Sequence, residues 1–134
     1  KENYDYIQKI STKRDIQYDE ILISQILNQS PKEYYVFIKE NDDINNSIYD
    51  VYIGNYRDYN KDNNDGLKIY TLNIDKIFNK ANKSDESYFN TVDVNEIKVK
   101  QATILKISNK QIVEIYEGEE KITRFFEEIL KKND

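Results

Sequence analysis

Hydrophobic positions along this chain come in short bursts, and the spacing within each burst predicts its structure. Tyr34-Tyr35-Val36-Phe37-Ile38 is a continuous apolar run bounded by charge, and its aromatic and β-branched content predicts a strand buried on both faces. Leu67 to Ile74 predicts a second strand. Ala102 to Ile107 and Gln111 to Tyr116 predict two more, joined through Ser108-Asn109-Lys110 as a tight hairpin, with Gly118 ending the second. Ile122, Phe125, Phe126, Ile129 and Leu130 fall at i, i+3, i+4, i+7 and i+8, the stripe of an amphipathic helix.

Three further helices are expected. Asp19 has the chemistry of an N-cap, with Leu22, Ile23, Ile26 and Leu27 as the buried stripe and Pro31 closing the element. Glu40 to Asn46 is a polar break. From Ile44, the positions Ile48, Val51, Tyr52 and Tyr56 then follow helical spacing and end before Asn60. A strand over Tyr49 to Ile53, with Gly54 as a turn, is the competing reading. Asn45-Asn46-Ser47 makes a good helix start and Gly54 a modest penalty, which favours the helix. Asp75 is expected to cap a short helix carrying Ile77 and Phe78. Residues 79 to 101 are polar and irregular, anchored by Tyr88, Phe89, Val92, Val94, Ile97 and Val99. Residues 1 to 14, with Tyr4, Ile7 and Ile10, are a tail or docked segment, and Asp15 to Tyr18 is extended.

The order β-α-β-α-β-α-β-β-α assigns residues 15 to 134 to one α/β domain. Its β-α-β stretches call for parallel pairing and its final hairpin for antiparallel pairing, giving a mixed central sheet with helices on both faces in three layers. A chain of 134 residues suits one core. Mean hydropathy is low at -0.87, yet 12 Tyr and 5 Phe argue against disorder. No stretch approaches the ~18 apolar residues that span a membrane. The chain starts at Lys1 with neither Met nor signal peptide, which suggests a maturation boundary with a signal or anchor removed.

That order resembles the thioredoxin-like fold. Thr103 to Ile107, the Asn109-Lys110 turn, Ile112 to Tyr116, Gly118 and the last helix look like that family's closing β-β-α unit. Tyr18-Asp19-Glu20-Ile21 through Tyr35-Val36-Phe37-Ile38 is similar to the lead into the active-site strand, and Leu67 to Asp75 to the strand after the active-site helix. The narrower resemblance is to small thioredoxin-like proteins of Gram-positive bacteria, including bacteriocin-transport accessory proteins. Redox-active relatives carry C-x-x-C where Asp43 and Asn46 stand here, and a cis-proline before the strand where Ala102 stands. The resemblance therefore implies a redox-inactive member, with Asp43 as a plain helix N-cap and a trans peptide before Ala102.

Composition sharpens that expectation. The sequence has no Cys, so it has no disulfide, thiolate metal site or thiol nucleophile, and no His, which removes imidazole bases and ligands. A net charge of -5 with dispersed Lys and Arg argues against nucleic acid as a partner and fits a monomer or a basic protein partner. No catalytic residue, cofactor or metal is assigned. Asn63-x-Asp65-Gly66 matches part of a calcium loop, but Lys61 and Leu72 stand where acidic ligands are needed. Asp42-Asp43 is a carboxylate pair without a matching acid at helical spacing, and reads as a polar helix start.

The resemblance implies a peptide-receiving groove lined by Asp43, Ile44, Asn46, Gln101, Ala102 and Thr103. Tyr52 and Tyr56 are a candidate aromatic face. The function expected is that of a non-catalytic accessory or protein-binding scaffold, extracytoplasmic and associated with a bacterial membrane system. The alternative is a small acidic immunity or inhibitor protein that binds a basic target through Glu117 to Glu128. An enzyme would need convergent carboxylates or hydroxyls in an apolar pocket.

Overall fold

The computed structural model describes residues 19–63 and 66–131. The predicted tail (1–14), the extended segment (15–18), residues 64–65 within the partial calcium-loop match and residues 132–134 lie outside the described residues. Four strands, β1 (Glu33–Lys39), β2 (Ile69–Asn73), β3 (Thr103–Ser108) and β4 (Gln111–Glu117), form one mixed sheet in the order β2-β1-β3-β4. β1 runs parallel to β2 and antiparallel to β3, and β3 is antiparallel to β4. Helix α1 (Asn46–Lys61) connects β1 to β2, and α2 (Glu119–Lys131) follows β4. The α/β class, the mixed sheet and the closing β-β-α unit are as expected, and residues 49 to 53 are helical.

β1 is apolar from Tyr34 to Ile38 because it is interior and both its faces are covered. Tyr35 and Phe37 look toward the helices, where Phe37 meets Tyr49 at 5.2 Å and Phe126 at 6.0 Å between ring centroids, and Tyr35 meets Phe125 at 4.9 Å. Tyr34, Val36 and Ile38 look the other way, into a second cluster with Tyr70, Leu72, Leu105 and Ile107.

Helices do not cover both faces. Among the described residues, both long helices pack on one face, and irregular chain covers the other through Ile21, Ile23, Ile26 and Leu27 before β1 and Phe89, Ile97 and Val99 between β2 and β3. The helix expected from Asp19 shortens to one 3-10 turn at Ile23–Gln25. Its lead-in is committed elsewhere. The Thr71 N–H donates to the Asp19 carbonyl and the Ile21 N–H to the Thr71 carbonyl, both at 2.8 Å, an isolated parallel bridge on the outer edge of β2. Asp19 is not an N-cap; its carboxylate pairs with Lys68 at 3.1 Å and Arg57 at 3.6 Å.

The short helix expected after Asp75 is replaced by turns that leave Ile77 and Phe78 largely exposed. The Asp75 carboxylate accepts from the Asn41 N–H at 2.7 Å instead of capping. Asn79, fully buried, accepts from the Ile23 N–H at 2.8 Å and donates to the Asn73 carbonyl at 2.7 Å. Asn82 likewise donates to the carbonyls of Val94 and Ile97. These amides do for irregular backbone what a helix does for itself, giving buried N–H and C=O groups a partner.

The face of α1 that packs inward differs in part from the one expected. Tyr56 is buried as expected, together with Tyr49 and Ile53, whereas Ile48 and Val51, and Ile44 just before the helix, are exposed. The tyrosines win because their rings fill the aromatic layer while the Tyr56 hydroxyl donates to the Leu67 carbonyl.

The β3–β4 hairpin turns at Asn109 (φ 52°) and Lys110 (φ 65°), the left-handed pair of a two-residue turn. Lysine has no local reason to accept that conformation. Replacing Lys110 by Gly should raise stability by about 0.5–1 kcal/mol in urea denaturation; a loss of stability would show that the lysine is not strained. Asn79→Ala should cost about 2–4 kcal/mol, since it strands a buried N–H and a buried carbonyl. A cost within the error of zero would show that the amide does not hold the irregular layer.

Candidate functional site

The C-terminal end of β1, the start of α1, the loop before β3 and the β4–α2 junction meet at one end of the sheet. They enclose an open depression of about 390 Å³. Asp43, Ile44, Gln101 and Ala102 line it, as the groove expectation requires, together with Glu40, Asp42, Tyr49 and Glu119. Its floor is set by backbone. The Gly118 N–H donates to the Ala102 carbonyl at 3.0 Å, and Gly118 takes a φ of 91° that admits this close turn without a Cβ.

Two predicted groove residues fall elsewhere. Asn46 is the first residue of α1 and turns away, its amide donating to the carbonyl of Glu40 at 2.8 Å. Thr103 is completely buried, and its hydroxyl donates to the Gln101 carbonyl at 2.9 Å. The latter follows from β3 being interior with both faces covered, so that Thr103, Ile104 and Leu105 are buried in succession. Asp43 is not the helix N-cap either, because Asn45 holds that position. The Asp43 carboxylate instead accepts from the Asn45 N–H at 2.8 Å, organising the turn that precedes the helix. The Gln101–Ala102 peptide is trans, as expected.

The aromatic face also dissolves on inspection. Tyr56 is buried, and Tyr52 is half-buried with its ring stacked 5.2 Å from Phe126. These rings roof the core.

The depression is acidic. Glu40, Asp42, Asp43 and Glu119 line it with no lysine or arginine among the lining residues, and Lys83 reaches Glu40 from outside it at 3.9 Å. Neighbouring groups register that field. The Tyr49 hydroxyl is pushed up to about 12, first by burial and then by the charges of Asp43 and Glu119. Burial raises Glu40 as well, with Lys83 opposing and Asp43, Asp75 and Asp42 adding to the rise. A phenol held in its neutral form at pH 7 is a hydrogen-bond donor and not a base. The depression can therefore attract cations and bond polar groups, and with no cysteine in the sequence it has no thiol for disulfide exchange. Among the described residues no His, Cys, Asp or Glu cluster is arranged to hold a metal ion, and no helix is long and apolar enough to cross a membrane.

A second cleft, about 520 Å³, opens between α1 and β2 and is lined by Lys39, Asp50, Gly54, Arg57, Thr71 and Asn73, among others. The sequence reading missed it. Its one local signal is Gly54, a glycine inside a helix where a Cβ would meet nothing within 4 Å. Gly54 lines the cleft, and the Lys39–Asp50 ion pair lies within it.

Compared with known proteins, the chain matches no family model and no curated protein.

Asp75 buttresses the acidic end from the loop after β2. Lys83 donates to its Oδ1 at 2.5 Å, and this bond, followed by that from the Asn41 N–H, holds the carboxyl below its ordinary value of 3.8. A depressed carboxylate adds stability above its unfolded pKa and loses it as pH falls through the folded value. Asp75→Asn should therefore cost about 1–2 kcal/mol at neutral pH. The gap to wild type should close as thermal melts are taken below the ordinary value of 3.8. A gap that is constant with pH would refute the charge-assisted bond.

Proposed function

We propose that this domain is a redox-inactive thioredoxin-like protein acting as an accessory or protein-binding scaffold in a bacterial membrane-associated system, on its extracytoplasmic side. The observation that carries the reading is a convergence. The start of α1 and the loop before β3 face each other across one depression, and this is the place where thioredoxin-like proteins receive extended peptides. The sheet order β2-β1-β3-β4, with its parallel β1–β2 pair and antiparallel β3–β4 hairpin closing on α2, supports the thioredoxin-like part of the reading. Asp43 and Asn46 in place of thiols, and Ala102 in place of the proline, support the non-catalytic part. A retained groove without reactive groups is suited to binding.

A second reading, an acidic immunity or inhibitor protein, is favoured by one feature. Glu119, Glu120 and Glu127 line an acidic depression on α2, where Arg124 pairs with Glu120 at 3.1 Å.

Photo-crosslinking in the native host separates these readings. A crosslinking side chain at Gln101 should trap a membrane-complex protein that the same group at Lys110, on the distant hairpin tip, does not trap. Cell fractionation should find the protein outside the cytosol. Adducts from Glu127 alone would favour the inhibitor reading; equal adducts from Gln101 and Lys110, or none, would end the groove reading.

A further inference from the structure

The exposed face of α1 is the feature that the groove alone does not explain. Ile48 and Val51, one turn apart on α1, are 52% and 60% exposed, and Ile44, in the turn that leads into the helix, is 94% exposed, so the apolar patch starts before the helix and continues onto it. It lies away from the buried Tyr49–Ile53–Tyr56 face, so core packing does not require it. Ile44 stands just before the Asn45 N-cap, where an apolar side chain ordinarily staples back onto the fourth helical residue, here Tyr49. It projects into water instead. Branched aliphatic residues aligned in this way on a solvent face mark a contact surface more often than scattered single ones do.

Charge identifies the occupant. Ile44 is itself part of the acidic depression, so the stripe begins where Asp42, Asp43 and Glu119 converge without a lining cation. A second copy of this chain would bring the same acidic rim and a net charge of -5. An anionic lipid surface or a nucleic acid would be repelled for the same reason.

We propose that the Ile44–Ile48–Val51 stripe and the adjoining Asp42–Asp43–Glu119 rim form one docking surface for a cationic amphipathic protein segment. The partner's apolar side chains lie along α1 and its lysines or arginines reach the acidic depression. This rests on the protein-binding reading above and deepens it by naming the partner's chemistry.

The probe is a synthetic amphipathic Lys/Leu peptide, with a Glu/Leu peptide of the same pattern as control. Amide shifts in the labelled domain should centre on residues 43 to 51. Binding should weaken with salt, and by ~10-fold or more both in Ile48→Ser/Val51→Ser and in Asp42→Asn/Asp43→Asn. Because these side chains are exposed or at a turn, thermal melts should show both double variants folded.

Shifts centred elsewhere, undiminished binding by either double variant, absence of Lys/Leu binding or equal binding of the Glu/Leu control would each overturn the proposal. So would sedimentation of the wild type as a dimer that Ile48→Ser dissolves. A partner still crosslinked at Gln101 and bound equally by the Ile48→Ser/Val51→Ser variant would refute the stripe and leave the scaffold reading standing. Peptide binding at the stripe with no crosslink at Gln101 would refute only the groove.

Discussion

The buried amide of Asn79 is the contact on which the unusual half of this fold depends. A sheet whose central strand is apolar on both sides must be roofed twice, and a roof of irregular chain carries backbone donors and acceptors that water cannot reach. Asn79 satisfies the Ile23 N–H and the Asn73 carbonyl at once, joining the segment before β1 to the end of β2. Asn82 repeats the device between Val94 and Ile97, and the Tyr34 hydroxyl donates to the Ile26 carbonyl at 2.7 Å. With these partners in place, Ile21, Ile26, Phe89 and Val99 can lie on the sheet without a helix beneath them.

The helical half is organised by aromatic packing. Phe126 contacts Phe37, Tyr52 and Tyr56, so α2 and α1 are positioned against the sheet through one ring. This packing fixes the rotation of α1, and the rotation has two effects at the surface. It brings the start of the helix opposite Gln101 and Ala102, and it leaves Ile44, Ile48 and Val51 in water. The acidic depression and the apolar stripe are thus consequences of the same helix placement.

Electrostatics then give that end of the molecule its character. Carboxylates from the β1–α1 loop and from the first turn of α2 gather where Lys83 is drawn toward Asp75 at 2.5 Å, with Glu40 at 3.9 Å. Acids in the first turn suit a helix N-terminus, so Glu119 and Glu120 support α2 while contributing negative potential at the surface.

Local chemistry decided much of the architecture from the sequence alone. The apolar run at Tyr34 to Ile38, the turn residues between β3 and β4 and the stripe from Ile122 to Leu130 each carry their structure within a few residues, so β1, the hairpin and α2 were legible. That Asp43, Ile44, Gln101 and Ala102 line one depression was implied by the thioredoxin-like resemblance and not by local pattern. Tertiary structure decided what local pattern leaves degenerate. α1 offers two apolar faces, and Tyr35, Phe37 and Phe126, with the Leu67 carbonyl, select the tyrosine face for burial. Asp19 and Asp75 have the chemistry of helix caps, but Lys68, Arg57, Lys83 and the Asn41 N–H bind their carboxylates in the folded protein. Thr103 and Asn46 left the groove because the covered faces of β3 and the start of α1 place side chains relative to neighbours that are remote in sequence. A side chain's local preference is weak beside a long-range hydrogen bond or a filled core, and where the two compete the sequence pattern alone does not show which prevails.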